Sequence, residues 1–456
     1  MASPYRHRMQ RLEPGQRTST ARPAASTGRR RRISVTATLL ILLIGTAAFL
    51  LAGNSVLSRI GNGSTPPTNA AFSYGFDFAQ QGPYSRSPSN AAAISAHQVM
   101  TSIPGVVEDT SIMDWGLPAP EPSPGEFNLS ALAARINLIS STGGIPMIAL
   151  CAAPNWMKNS TGPETAPTPT HYQDFAALAA KIAQTFPQVK YFVVWNELKG
   201  FWNPATNNWN IQQYTEMYND VYRAIKRVRP DAIVGGPYVA TPPYAAPRYE
   251  NLPTTPHGAW GYLDQRDLDA IRYWLANKAG AQFIAVDGPD FPKTGPVTSL
   301  VAATQKYAVV NHWIHQRTSL PIWWMESQVQ PENSRWSPSW AAAIRIAALV
   351  QAASSGARAM LQWQPEQGAG MPDEGLWTAT NYADGGKPTV LAHLLPGVLA
   401  VLHGPVTLVP GQRQGVLVAS GRGGVIAINA TTRPVSTVIS GTQATLKPGE
   451  VRVTSR

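Results

Sequence analysis

Charge is scarce in this chain: Asp, Glu, Lys and Arg make up 14% of its 456 residues, and only 26 residues are acidic. There is one cysteine, Cys151, which excludes an intramolecular disulfide and argues against a thiolate zinc site. A formal net charge of +11 suggests nucleic acid until the charge is located. Residues 1–32 carry nine Arg and one Glu, so +8 of the total sits in this tail and +3 remains for everything else. So small a surplus does not make a basic binding face on a chain of this size, and nucleic acid is excluded as the main partner.

What the chain does have is aromatic and apolar. There are 14 Trp, 15 Tyr and 40 Pro, and hydrophobic residues reach 44%, enough for a substantial core. Most of the tryptophans belong in that core, while a few exposed ones would suit flat apolar surfaces such as the faces of sugar rings. Arg29 to Arg32 directly precede an uncharged stretch, Ile33 to Gly53, of about the 20 residues needed to cross a bilayer as a helix. The positive-inside rule then puts the tail 1–32 in the cytoplasm and the rest outside it. A cleaved signal peptide would release a secreted protein instead. The apolar run is long for a signal core, which favours a retained anchor and makes the membrane a partner. Residues 54–70, rich in Gly, Ser, Asn and Pro, read as a linker.

From residue 71 onward short apolar runs alternate with amphipathic stretches. Strands are expected at Phe72 to Phe78, Ser111 to Leu117, Ile145 to Cys151, Lys190 to Glu197, Ala232 to Tyr238, Gln282 to Asp290, Leu320 to Ser327 and Ala357 to Trp363. Helical spacing occurs at 129–143, 174–186, 214–230, 301–317 and 340–355. Eight strands separated by helices or long loops predict an α/β fold, a (β/α)8 barrel over 71–403. After about residue 404 the texture changes to β-branched runs punctuated by Gly and Pro, which predicts a small β-rich, sandwich-like part over 404–456 packed on the barrel.

The stretch YFVVWNELKGFW, Tyr191 to Trp202, raises the chemical question. A strand buried on both faces runs into Asn196 and Glu197, and a buried carboxylate there is costly unless paired, hydrogen-bonded or protonated. A second carboxylate, Glu326, ends the Trp-rich strand PIWWMES, 129 residues on. Two glutamates at the ends of strands four and seven would face each other across a barrel mouth. Glycosidic cleavage needs such a pair, one to protonate the leaving oxygen and one to attack the anomeric carbon or activate water. Other strand-end residues would serve the same mouth: Trp363, Trp156 and Trp115 as stacking platforms, Asp77 as a hydroxyl acceptor, and Tyr238 and Asp287 as further lining. His312 and His315 lie i, i+3 on a helix with no ligand partner nearby, so they read as packing residues and no metal or cofactor is expected. Glu332 and Glu366 fall in loops after strands seven and eight and read as rim residues.

The Trp195-Asn196-Glu197 triplet closing strand four, with Glu326 closing strand seven, resembles clan A of the glycoside hydrolases. Within it, Pro122 to Met157 and the β-rich C-terminal part are most similar to family 39, which contains β-xylosidases and exopolysaccharide hydrolases. The resemblance spans roughly residues 70–450. It implies a retaining (β/α)8 enzyme in which Glu197 is the general acid/base, Asn196 binds the sugar 2-hydroxyl, and Glu326 is the nucleophile. Family members commonly carry a His near the end of strand six, where this chain has Asp287. The expectation is a retaining hydrolase of an extracellular β-linked polysaccharide or oligosaccharide. The alternative is a catalytically silent carbohydrate-binding or cell-envelope scaffold on the same barrel.

Overall fold

A computed structural model describes residues 71–77, 90–247, 255–292, 299–331, 334–368 and 373–455. The predicted cytoplasmic tail, membrane anchor and linker, together with Glu332, lie outside the described residues. No helix among the described residues is long and apolar enough to cross a membrane.

Eight parallel strands close into a barrel: β1 (Ser73–Asp77), β2 (Val107–Ser111), β3 (Ile145–Leu150), β4 (Tyr191–Val194), β5 (Ile233–Ala240), β6 (Phe283–Asp287), β7 (Ile322–Ser327) and β8 (Ala357–Trp363). Each pairs with its neighbours in sequence, and β1 closes on β8. Seven of them fall where hydrophobic patterning predicts. The second does not: Val107–Ser111 ends where that strand was expected to begin, so Trp115 sits in the following loop. The sequence VEDTS carries two carboxylates and offers no apolar run, yet all five residues are buried.

The interior is filled by side chains from alternate positions, including Val107, Met147, Val193, Phe283, Trp323, Met325 and Leu361. A larger shell of Leu, Ile, Ala and aromatic residues fills the space between strands and helices. Predicted helices appear at Ser130–Ser141, Tyr172–Thr185, Ile211–Val228, Gln305–His315 and Pro338–Ser354. Helices at Ala91–Ser102, Gln265–Asn277 and Val390–Leu402 were not anticipated. At Gly75 the strands come so close that a Cβ would lie 2.4 Å from the Val107 carbonyl oxygen, so only glycine fits beneath Asp77.

Two register shifts re-aim side chains at the barrel mouth. Against β6, the partner of Ala285 is Pro237 and that of Val286 is Val239, which leaves Tyr238 as an extra residue with φ 55°. Between Trp324 and Ser327 the pairing of β7 with β8 shifts as well. By strict alternation Glu326 would point opposite to Met325, away from the interior. The irregularity lets it turn inward, as bulges beside active sites do.

Beyond the barrel, Thr407–Leu408, Val416–Gly421, Gly424–Asn429 and Val451–Ser455 form a four-stranded antiparallel sheet, and Val435–Ile439 pairs with Thr442–Leu446. The helix Val390–Leu402 packs against this sheet and against Pro338–Ser354. The β-rich C-terminal part is therefore present.

Candidate active site

A cavity of about 220 Å³ opens at the C-terminal ends of the barrel strands. Its lining includes Asp77, Trp115, Asn196, Glu197, Tyr238, Asp287, Glu326 and Trp363, all expected from sequence. Trp156 is the exception. Its indole N–H donates to the Glu121 carbonyl at 3.0 Å and its ring meets His171 edge-on, so it packs the outer wall instead of the cavity. Glu366 is not a rim residue either: it is buried and accepts from Trp377 Nε1 and from the Thr380 N–H and hydroxyl. His312 bonds Gln316 and His315 meets the Gly356 carbonyl, in keeping with packing roles.

Glu197, Asp287 and Glu326 converge. One carboxylate oxygen from each lies within 4.8 Å of the others. Glu197 has φ 50°, and its neighbours Trp195 and Leu198 are also left-handed, at 73° and 54°. Backbone strain of this kind collects at functional sites. The tight turn folds Lys199 back so that its ammonium lies 2.9 Å from Glu197 Oε2 and 3.6 Å from Glu164. Burial works to lower the Lys199 pKa, but Glu197 and then Glu326 outweigh it and hold the ammonium charged. Apolar walls were expected around Glu197. Trp195 and Phe201 do pack beside one another, yet the carboxylate itself is met by Lys199 and Asp287.

Glu326 receives the hydrogen-bond donors that sequence reasoning left unnamed. Tyr238 donates its hydroxyl to Oε1 at 2.7 Å, and the Asn196 side chain also bonds this carboxylate. Burial, then the charge of Glu197, push Glu326 up to about 7, while Lys199, Tyr238 and Asn196 pull the other way. Asp287 is raised well above the usual carboxylate range by burial, then by the charge of Glu197 and a hydrogen bond to it. A protonated Asp287 therefore shares its hydrogen with Glu197, at the position where a histidine was sought. The Gly288 N–H also bonds Asp287.

Sequence reading missed Asp109, Ser111, Lys199 and Gln328, which also line the cavity. Asp109 was lost with the misplaced second strand. Lys199 lies two residues beyond Glu197, and its charge was the available signal.

No family model and no curated protein matches the chain. Solved structures do. A conserved exported protein from Bacteroides fragilis superposes with a TM-score of 0.61 at 13% identity, covering 86% of this chain and 98% of that one. A monomeric β-xylosidase from Caulobacter crescentus CB15 gives 0.54 at 16% identity, covering 82% and 80%. A family 39 glycoside hydrolase from Bacteroides cellulosilyticus WH2 gives 0.51 at 14% identity, covering 81% and 73%. The chain thus has the barrel fold of solved family 39 glycoside hydrolases.

Proposed function

We propose that this protein is a family 39-like retaining glycoside hydrolase that cleaves a β-linked polysaccharide or oligosaccharide. The observation that carries the proposal is the approach of Glu197 and Glu326 within 4.8 Å across the mouth. Retaining enzymes hold their carboxyls about 5–5.5 Å apart and inverting ones about 6.5–9.5 Å. Glu326, oriented by Tyr238 and Asn196, attacks the anomeric carbon in its ionised form, and the glycosidic bond breaks as Glu197 gives a proton to the leaving oxygen. Asp287, which holds a proton and donates it in a hydrogen bond to Glu197, is the group beside Glu197 from which that proton can be passed on. Glu197 then takes a proton from water, which attacks the glycosyl-enzyme and frees Glu326. The fold shared with family 39 structures supports the same reading.

Screening the protein against a panel of β-linked glycans tests this. Glu326→Ala and Glu197→Gln each abolish cleavage while keeping the wild-type circular dichroism spectrum. Wild-type turnover in either variant contradicts the assignment.

One observation favours the silent-scaffold reading: Lys199 pairs with Glu197 Oε2 and so stabilises the ionised form of the carboxyl that would have to donate a proton. In that case the panel yields binding without products.

The basic residues 1–32 and the apolar 33–53 support a location outside the cytoplasm behind a membrane anchor, with 71–403 as the catalytic part and 404–456 as its β companion. Protease added to intact cells digests the catalytic part if this holds, and spares it if the part lies inside.

A further inference from the structure

The two-glutamate reaction leaves one part of the pocket unused. Asp77 and Asp109 are register partners on β1 and β2, so their side chains enter the barrel side by side from strands about 4.8 Å apart. They are 3% and 2% exposed, and both line the cavity. Asp77 Oδ2 and Asp109 Oδ1 have no hydrogen-bond partner among the described residues. Backbone N–H groups of Thr110 and Ala149 hold Asp109 from behind. Arg135, which acts on Asp77 from a distance, donates to the Thr110 hydroxyl.

Two adjacent buried acceptors without donors are costly, so their occupant should bring donors and, beside other carboxyls, positive charge. Among the described residues, the cavity is lined by five carboxyl groups, Asp77, Asp109, Glu197, Asp287 and Glu326, and by one cation, Lys199. That cation is engaged by Glu197 and Glu164. A sugar hydroxyl brings one donor and no charge. An ammonium group brings three donors and a full charge, and charge-assisted bonds are about twice as strong as neutral ones.

We propose that the pocket takes an amino sugar, whose protonated amine docks between Asp77 and Asp109. This deepens the glycosidase reading and rests on it. Trp115 and Trp363 line the same cavity and offer apolar faces to the ring. In the empty pocket burial above all, then Glu326, raise both aspartates, with Asp109 also acting on Asp77, while Arg135 and Lys199 lower Asp77. Protons held there leave when the ammonium enters.

Titration calorimetry of the full chain with glucosamine and galactosamine, their N-acetyl forms, glucose and galactose tests this at pH 7. The free amines bind about tenfold or more tightly than the acetylated or neutral sugars. Their heats vary with the ionisation heat of the buffer, showing proton release, and Asp109→Asn removes the preference. Equal affinity for neutral sugars, no binding of any of the six, or a preference that survives in a folded Asp109→Asn protein overturns the proposal. Where the variant does not fold, the wild-type selectivity decides alone. These monosaccharides hold no glycosidic bond, so the result is independent of turnover. Amine selectivity without cleavage of any glycan would sink the hydrolase and keep the cradle; cleavage of neutral glycans without amine preference would do the reverse.

Discussion

The Tyr238 hydroxyl stands 2.7 Å from Glu326 Oε1, and it reaches there because Tyr238 is the extra residue of an irregular β5 with a left-handed φ. A hydrogen bond donated to a carboxylate stabilises the charged form that a nucleophile requires. Tyr238→Phe therefore lowers kcat by about 10- to 100-fold, the scale of one charge-assisted hydrogen bond. A rise in KM alone with unchanged kcat would place Tyr238 in substrate binding only.

The pH dependence has a definite sign. Glu326 titrates near 7 in the free protein, and attack needs its ionised form, so kcat/KM rises as pH increases through about 7. Both Lys199 and Tyr238 pull the Glu326 pKa down. Lys199→Met and Tyr238→Phe then move this acidic limb to higher pH. A limb that stays in place in both variants would assign it to another group.

Stability responds to pH through the buried aspartates. Burial, then the charge of Glu326, raise the Asp109 pKa in the folded state, so the native chain binds this proton more tightly than the unfolded chain does. Its cost to stability is absent below the unfolded value of about 4 and grows as pH rises through and beyond it. Asp109→Asn removes that cost. Its melting temperature exceeds wild type at pH 8 by about 2–4 °C, and the gap closes toward pH 4. A constant difference across this range would show that charge is not the cause.

Behind Glu326, Arg345 donates to Glu374 and to the hydroxyl and carbonyl of Ser327, the next residue. Both members of this ion pair are buried. Removing one strands the other charge, so Arg345→Met destabilises by about 3–5 kcal/mol, measured by denaturant unfolding. A loss under 1 kcal/mol would mean that Glu374 finds another partner.

Much of this was legible in the sequence because it rested on apolar patterning. Glu197 and Glu326 each interrupt a Trp-containing run, and such interruptions stand out. Asp109 did not, since VEDTS is a strand whose buried face is polar, and hydrophobic periodicity is silent where the pocket itself lines the barrel. Trp156 shows the opposite error: residue type and position after β3 suggested the mouth, while its indole bond to Glu121 fixes it on the wall. The inward turns of Tyr238 and Glu326 depend on register shifts between strands, which no local pattern encodes.

The most direct test of the central claim is the anomeric configuration of the first product released from a cleaved β-glycan, followed by proton NMR before mutarotation. With Glu197 and Glu326 acting as acid and nucleophile at this separation, the product is the β anomer, retained. An α anomer as first product would contradict the two-glutamate double displacement.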